Sequence, residues 1–186
     1  MNLADIAPTE IIAFWRDAGP GMWFASEPAF DREIRRRYER AHMAASAGID
    51  EGWARTPKGA LAYLLLTDQF PRNIYRNSAH AFATDPLARA MADRAIAAGF
   101  DMETEPDLRI FFYVPFQHHE DRASQARSIA LFARHRVLTG DGVQLGYAEG
   151  HAEEIARFGR FPHRNAILGR ESTAEERDYL AACGRR

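Results

Sequence analysis

The sequence of 186 residues contains a single cysteine, Cys183. One thiol forms neither an intrachain disulfide framework nor a zinc site made of cysteines. No apolar run reaches the roughly 18 residues that a membrane-spanning helix needs. Residues 1–6 also lack the basic start and long apolar stretch of a signal peptide. We therefore expect a cytoplasmic protein that does not insert into membranes.

Common catalytic and nucleotide-binding motifs are missing as well. The chain has no G-x-G-x-x-G, no P-loop, no G-x-S-x-G elbow, no H-E-x-x-H pair and no EF-hand loop. The net charge of −2 gives no general attraction to nucleic acid or to an anionic membrane. We therefore expect no cofactor, no resident metal ion and no nucleic-acid partner.

The chain has the composition of an ordinary globular protein, with 46% hydrophobic and 27% charged residues. This length suits one domain, so we predict that residues 1–186 fold together. Helix start signals recur along the chain, at Pro8, Pro28 or Asp31, Thr56-Pro57, Thr84-Asp85-Pro86, Pro106 and Ser172-Thr173. The segment 108–114 is rich in β-branched and aromatic residues, but a lone strand has no pairing partner. We predict an all-α protein in which this segment is a helix broken near Pro115.

Apolar spacing predicts which helix faces are buried. Residues 60–66 are apolar almost all round, so they predict a central, fully packed helix that Pro71 stops. The expected stripes elsewhere are Phe30, Ile34, Tyr38 and Ala41, then Leu87, Met91, Ala95 and Ala98, then Val143, Tyr147, His151, Ile155 and Phe158. The basic run 35–37 is interpreted as a solvated face balanced by Glu33 and Glu39. His42, His80 and His135 are expected on the surface.

One carboxylate falls inside the predicted central helix. Asp68 lies one turn beyond Leu64, where it should be buried. A buried carboxylate must be paired or strongly hydrogen-bonded, and arginine suits it because its planar fork is bidentate. The candidate partners are Arg72, Arg76, Arg160 and Arg164.

The segment 157–170 mixes four arginines and a histidine with Phe, Ile and Leu, and it contains no acid. Its Phe-Pro and Arg-Asn pairs are echoed earlier, in residues 70–73. We interpret the two segments as walls of one polar site. Asp68, Arg72 and Asn73 would form one wall, and Arg160, His163, Arg164 and Asn165 the other, with His118 and Glu120 between them.

Such a site would bind a small anionic ligand that carries phosphate or carboxylate, held by the arginines. If the protein is an enzyme, His118 or His163 would act as acid or base, together with Glu120, in hydrolysis or group transfer. A metal interpretation is weaker: His118 with Asp121, and His151 with Glu154, have the spacing of one helix face. The structural alternative is a salt-bridge network in which the arginines tie carboxylates together and lock helix ends.

Several segments resemble domain of unknown function family 924, which comprises bacterial proteins with plant relatives. The resemblance rests on residues 66–76, 81–85, 112–116 with His118 and 120–121, and 157–165 with 168–170 and 172–173. It implies a tetratricopeptide-like right-handed array of antiparallel helices and no established activity. His119 departs from the family pattern, in which Ser is usual, and this favours His118 as the site residue.

Two functions therefore remain open. The first is an anion-binding pocket, with or without catalysis. The second is a non-enzymatic interaction module for a partner protein, in which the Arg/His cluster is internal scaffolding. Arginines paired with carboxylates in a closed cluster would favour the second, whereas an open cleft would favour the first. The pattern does not predict an oligomeric state.

Overall fold

The computed structural model describes residues 3–183, so the outermost residues of the predicted domain, 1–2 and 184–186, lie outside the described part. The α-helices are α1 Pro8–Ala18, α2 Pro20–Trp23, α3 Pro28–Ser46, α4 Pro57–Leu64, α5 Phe70–Ile74, α6 Asp85–Ala97, α7 Pro106–Arg109, α8 Val114–Gln117, α9 Arg122–Thr139, α10 Val143–Phe158 and α11 Ala174–Cys183. Within residues 3–183 there is no strand, which confirms the all-α prediction. The segment 108–114 is helical, as predicted, with a 3₁₀ turn at Ile110–Phe112.

The described part of the chain divides into two compact units: residues 3–76 with 80–115, and residues 77–79 with 116–183. The prediction of a single domain stays a prediction. None of the described helices is long and apolar enough to span a bilayer.

The first unit is built around α4. Every residue from Gly59 to Pro71 is buried, as the apolar run predicted. Thr56 accepts the Gly59 N–H at 3.0 Å and so caps the helix, also as predicted. α1 and α6 pack against α4, and α3 packs against α5. An aromatic cluster joins these helices, with Trp15, Tyr38, Phe70 and Phe111 fully buried in it.

The prediction that Pro71 stops the central helix is wrong. A π-helical turn, Leu65–Gln69, leads from α4 directly into α5, which has Pro71 in its first turn. A proline inside a helix removes an N–H and crowds the carbonyl four residues earlier. The wider π turn accommodates the ring without ending the helix.

Pro71 has no N–H to donate, so side chains from other parts of the first unit donate hydrogen bonds to the carbonyls of Leu66 and Thr67. The Thr84 hydroxyl donates to the Thr67 carbonyl at 2.6 Å, and His42 Nδ1 lies 2.8 Å from the Leu66 carbonyl. Thr84 was predicted to cap α6, but its side chain makes no capping bond there. Because a carbonyl only accepts, His42 Nδ1 carries a proton. His42 is buried, and burial lowers its pKa. The surface prediction is therefore wrong for His42, and also for the buried His135, while His80 is exposed.

The second unit contains the longest hairpin, in which α9 and α10 pack together across the short turn 140–142. Helices joined by so few residues are antiparallel. The buried face of α9 is largely polar, with Gln125, Ser128 and His135 beside Phe132.

Two predicted faces are only partly right: Met91 and Ala95 on α6, and Ile155 on α10, are buried as predicted, but the rest of each face differs. The buried face of α10 is Leu145, Ala148 and Ile155, and the predicted stripe residues Val143 and Tyr147 are more than half exposed. In α6 the buried residues are Ala88, Met91, Ala92 and Ala95, so the face lies about one residue from the predicted stripe. Small alanine side chains such as Ala88 and Ala92 let helices approach closely.

Candidate functional site

In the first unit, Arg72 holds two carboxylates. It binds both oxygens of Asp85, at 3.0 and 3.1 Å, and its Nη1 lies 3.4 Å from Asp68 Oδ1. Asp68 is 1% exposed, as predicted, and also accepts a hydrogen bond from Gln69. Burial lowers the pKa of Arg72, but Asp68 and Asp85 outweigh it and raise that pKa above its ordinary value. The guanidinium is therefore part of an internal ion-pair network.

Asn73, the third residue of this predicted wall, also has an internal partner. Its amide donates to Asp31 Oδ1 at 2.8 Å, and Arg76 binds both oxygens of the same carboxylate at 2.6 and 2.8 Å. Burial raises the pKa of Asp31, but the bonds from Arg76 and Asn73 outweigh it, so the pKa is lowered. This cluster ties the start of α3 to α5.

In the second unit, Glu120 organises the start of the arginine-rich segment. Arg170 binds its two oxygens at 2.6 and 2.9 Å, and the Phe161 N–H donates to it at 2.8 Å. Partial burial raises the pKa of Glu120, but Arg170 and the Phe161 N–H outweigh it and lower that pKa below its ordinary range. Glu120 is therefore an ionised anchor for the segment, which does not suit a general acid.

Arg160 is paired in the same way. Its Nε and Nη2 bind the two oxygens of Glu176 at 2.6 and 2.8 Å, and Nη2 also donates to the Glu171 carbonyl. Glu176 is 2% exposed, and the Arg160 bond lowers its pKa to about 2. Asn165 donates to Glu176 at 3.3 Å and to Ser172 at 3.0 Å.

Glu176 has a second function, at the start of α11. It accepts the Thr173 N–H at 2.7 Å while Thr173 Oγ1 accepts the Glu176 N–H at 3.1 Å. This reciprocal pair is a capping box, and it lies at the helix start that Ser172-Thr173 predicted. One carboxylate therefore both starts a helix and neutralises Arg160.

Phe161 is the buried centre of the segment. The Arg164 guanidinium lies 4.5 Å from its ring centroid, and the rings of His151 and His163 lie 5.3 and 5.5 Å from it. Arg164 is 7% exposed and donates to the His118 carbonyl at 3.0 Å. His163 is exposed, with its Nδ1 3.5 Å from Glu154 Oε1.

His151 belongs to this cluster, although it was predicted only as part of a buried stripe and of a metal set. Its Nδ1 lies 2.8 Å from the Tyr147 carbonyl, so Nδ1 carries the proton and Nε2 is the basic nitrogen. Burial, with the positive fields of His118 and Arg164, lowers its pKa to about 4. At neutral pH the ring is an uncharged acceptor.

The predicted residues therefore fall into two sets. Asp68, Arg72 and Asn73 belong to the first unit, and His118, Glu120, Arg160, His163, Arg164 and Asn165 to the second. Within the first unit, Arg72 contacts Asp68, whereas Asn73 binds Asp31 instead. Within the second unit, Arg160 and Asn165 share Glu176, and Arg164 donates to the His118 carbonyl. That both sets form walls of one site stays a prediction. Among the described residues, no three His, Cys, Asp or Glu side chains are grouped to hold a metal ion.

These features define an all-helical class of protein whose helix ends are joined by arginine–carboxylate pairs. The family model described as "Bacterial protein of unknown function (DUF924)" matches residues 11–184, and the chain belongs to this family. The chain is similar to the solved structure of ATU0120, a protein of unknown function from Agrobacterium tumefaciens. The two chains are 47% identical with a TM-score of 0.89, over 94% of this chain and 97% of that one. No match was found among curated proteins.

Proposed function

We propose that the protein is a non-enzymatic interaction module of stacked antiparallel helices, arranged in a tetratricopeptide-like right-handed array, that binds a partner protein in the cytoplasm. The observation that carries the proposal is the pairing of the arginines. Arg72, Arg160 and Arg170 each bind a carboxylate of their own unit through two hydrogen bonds. An anion would have to displace those carboxylates, of which Glu176 is buried and Asp85 and Glu120 are partly buried. Leaving a buried carboxylate such as Glu176 without its partner costs several kcal/mol.

The α9–α10 hairpin supports the same proposal. Stacked helix pairs bury one face against their neighbours and leave another for partners. In this hairpin the buried faces use Phe132 on α9 and Leu145, Ala148 and Ile155 on α10. Large apolar side chains near the turn remain exposed.

The second candidate function is an anion-binding pocket formed by residues of the second unit alone. The observation that favours it is His151, a neutral ring whose Nε2 is basic, beside the positive charge of Arg164. Arg164 would hold the anion, and His118, His151 or His163 would accept a proton. Arg72 and Arg160 would not take part, because their forks are occupied by Asp85 and Glu176.

A thermal-shift titration with inorganic phosphate and citrate separates the two functions. The interaction module predicts no saturable rise in Tm in wild type, and the same small salt effect in Arg164→Lys. A saturable rise at millimolar anion that weakens with added chloride and disappears in Arg164→Lys would instead establish the pocket. Glu153→Gln, on the exposed side of α10, is the matched control for general charge effects.

A further inference from the structure

Apolar side chains are exposed at the turn end of the α9–α10 hairpin. We call residues 134–147 the hairpin tip. The exposed fractions are 85% for Val137, 51% for Leu138, 62% for Val143 and 54% for Tyr147. Val137 and Leu138 lie in the last turn of α9, and Val143 starts α10, so antiparallel helices place them at the same end.

Folding of the second unit does not account for these side chains. Val143 and Tyr147 lie four residues apart, so they share a side of α10 that excludes the buried Leu145 and Ala148. An exposed group of large apolar side chains is typical of a surface that binds another molecule.

The charge near the tip indicates the character of that molecule. Within the tip, α9 carries Arg134 and Arg136 and no acidic residue. Within the described residues, Arg136 forms no ion pair. Asp141 is the only acid of the tip, and its Oδ1 accepts the Val143 N–H at 2.9 Å at the start of α10. A partner with acidic residues beside apolar ones would complement this surface.

We infer that the hairpin tip docks an amphipathic helical segment of a partner protein, with an apolar stripe flanked by Asp or Glu. This inference rests on the proposed interaction function and names its surface. An anionic membrane fits less well, because polybasic membrane-binding segments carry about four to eight basic residues in a cluster. The tip has Arg134 and Arg136, together with Asp141.

The test is a selection from a displayed library of random peptides of about 16 residues, roughly four helical turns. The full-length wild-type protein is the bait. Synthetic copies of the enriched peptides are then measured by fluorescence anisotropy against wild type, the tip variant Val137→Ser/Val143→Ser, and Arg136→Gln. The exposed Met102 of the first unit provides the control Met102→Ser. Circular dichroism and urea unfolding establish that each variant is folded.

The expected peptides carry apolar residues at i, i+3 or i+4 and an excess of Asp and Glu. Their Kd should rise at least about tenfold in the tip variant, because two apolar anchors are lost. Arg136→Gln should reduce the salt dependence of binding, and Met102→Ser should change neither quantity. Peptides that bind the tip variant as well as wild type would overturn the assigned surface but leave an interaction function standing. Failure to enrich any peptide on wild type would overturn both.

Two further measurements address other occupants of the tip. Sedimentation velocity of wild type and the tip variant tests a second copy of this chain: an oligomer in wild type that dissociates in the variant would overturn the inference. Co-sedimentation with phosphatidylserine vesicles tests a membrane, and binding that needs Val137 and Val143 would also overturn it. A monomer that does not pellet with vesicles is the expected result.

Discussion

Phe161 shows how one buried aromatic residue organises a segment that is rich in arginine. Its ring contacts Arg164, His151 and His163, while its backbone N–H and carbonyl bind Glu120 and Arg170. The backbone bonds fix where the chain leaves α10, and the ring fills the centre of the cluster.

Phe161→Ala should lower the free energy of unfolding by about 3–5 kcal/mol, because it leaves a cavity under the charged cluster. Equilibrium urea unfolding measures the change. The matched control is His163→Ala in the same segment, which should change stability by no more than about 0.5 kcal/mol because His163 is exposed. A large loss for His163→Ala would instead make that ring part of the network.

His151 makes a prediction about pH. Its pKa falls from the ordinary 6.5 to about 4 on folding, so the unfolded chain binds the proton more tightly. Its contribution is therefore fully present above pH 6.5 and is lost as the pH falls from 6.5 towards 4. The full loss would be roughly 3 kcal/mol.

The measurement is urea unfolding of wild type and His151→Gln at several pH values from 4 to 8. Between pH 6.5 and 4, the free energy of unfolding of the variant should depend less steeply on pH than that of wild type. The buried His42 also has a lowered pKa, so some slope should remain. Identical slopes in the two proteins would contradict the environment described for His151.

At the scale of the element, the π turn Leu65–Gln69 accounts for a proline in the middle of a continuous helix. Pro71 supplies no N–H, and the Thr84 hydroxyl donates to the Thr67 carbonyl instead. Thr84→Val should therefore cost about 1–3 kcal/mol, because a buried acceptor loses its donor. In a Pro71→Ala background, the new N–H can serve that carbonyl, so the same substitution should cost less. A double-mutant cycle in urea measures this coupling, and additive effects would show that the two residues are independent.

The capping box of α11 gives a second prediction about a single helix. Thr173→Ala removes the acceptor for the Glu176 N–H and should cost about 1 kcal/mol of stability. The nearby Ser172→Ala loses only a bond to the side chain of Asn165, so it is the control and should cost less. Urea unfolding of both variants compares them.

The sequence predicted those features whose cause is local. Helix starts at Thr56 and Thr173 follow from a hydroxyl that accepts an N–H a few residues later, and the apolar run of α4 can only be buried. The π turn was not predictable, because it depends on Thr84 and His42, which reach it from other helices. The buried face of α9 is similar: Gln125, Ser128 and His135 show no apolar period, and only the surrounding structure makes them interior.

At the scale of the whole molecule, helix ends are joined mainly by carboxylates, so stability should depend on acid pH. Glu120 and Glu176 have pKa values lowered on folding, Glu176 from 4.5 to about 2. For such groups the stabilisation is present above the ordinary pKa and is lost as the pH falls through the folded-state value. We expect these carboxylates to cause a loss of stability below about pH 4.5, in addition to the loss that the histidines cause between pH 6.5 and 4.

The double variant Glu120→Gln/Glu176→Gln separates the contribution of these carboxylates to the pH dependence of stability from that of the histidines. The variant should be less stable than wild type at pH 7, because Arg160 and Arg170 lose their charged partners. Its stability should then fall less than that of wild type between pH 4.5 and 2.5, because the two pairs no longer contribute while carboxylates such as Asp31 and Asp121 still do. The exposed Glu153→Gln should follow the wild-type curve. If the double variant instead loses as much stability in acid as wild type does, carboxylates other than Glu120 and Glu176 hold the helix ends together. The cluster around Phe161 would then be available to bind a ligand.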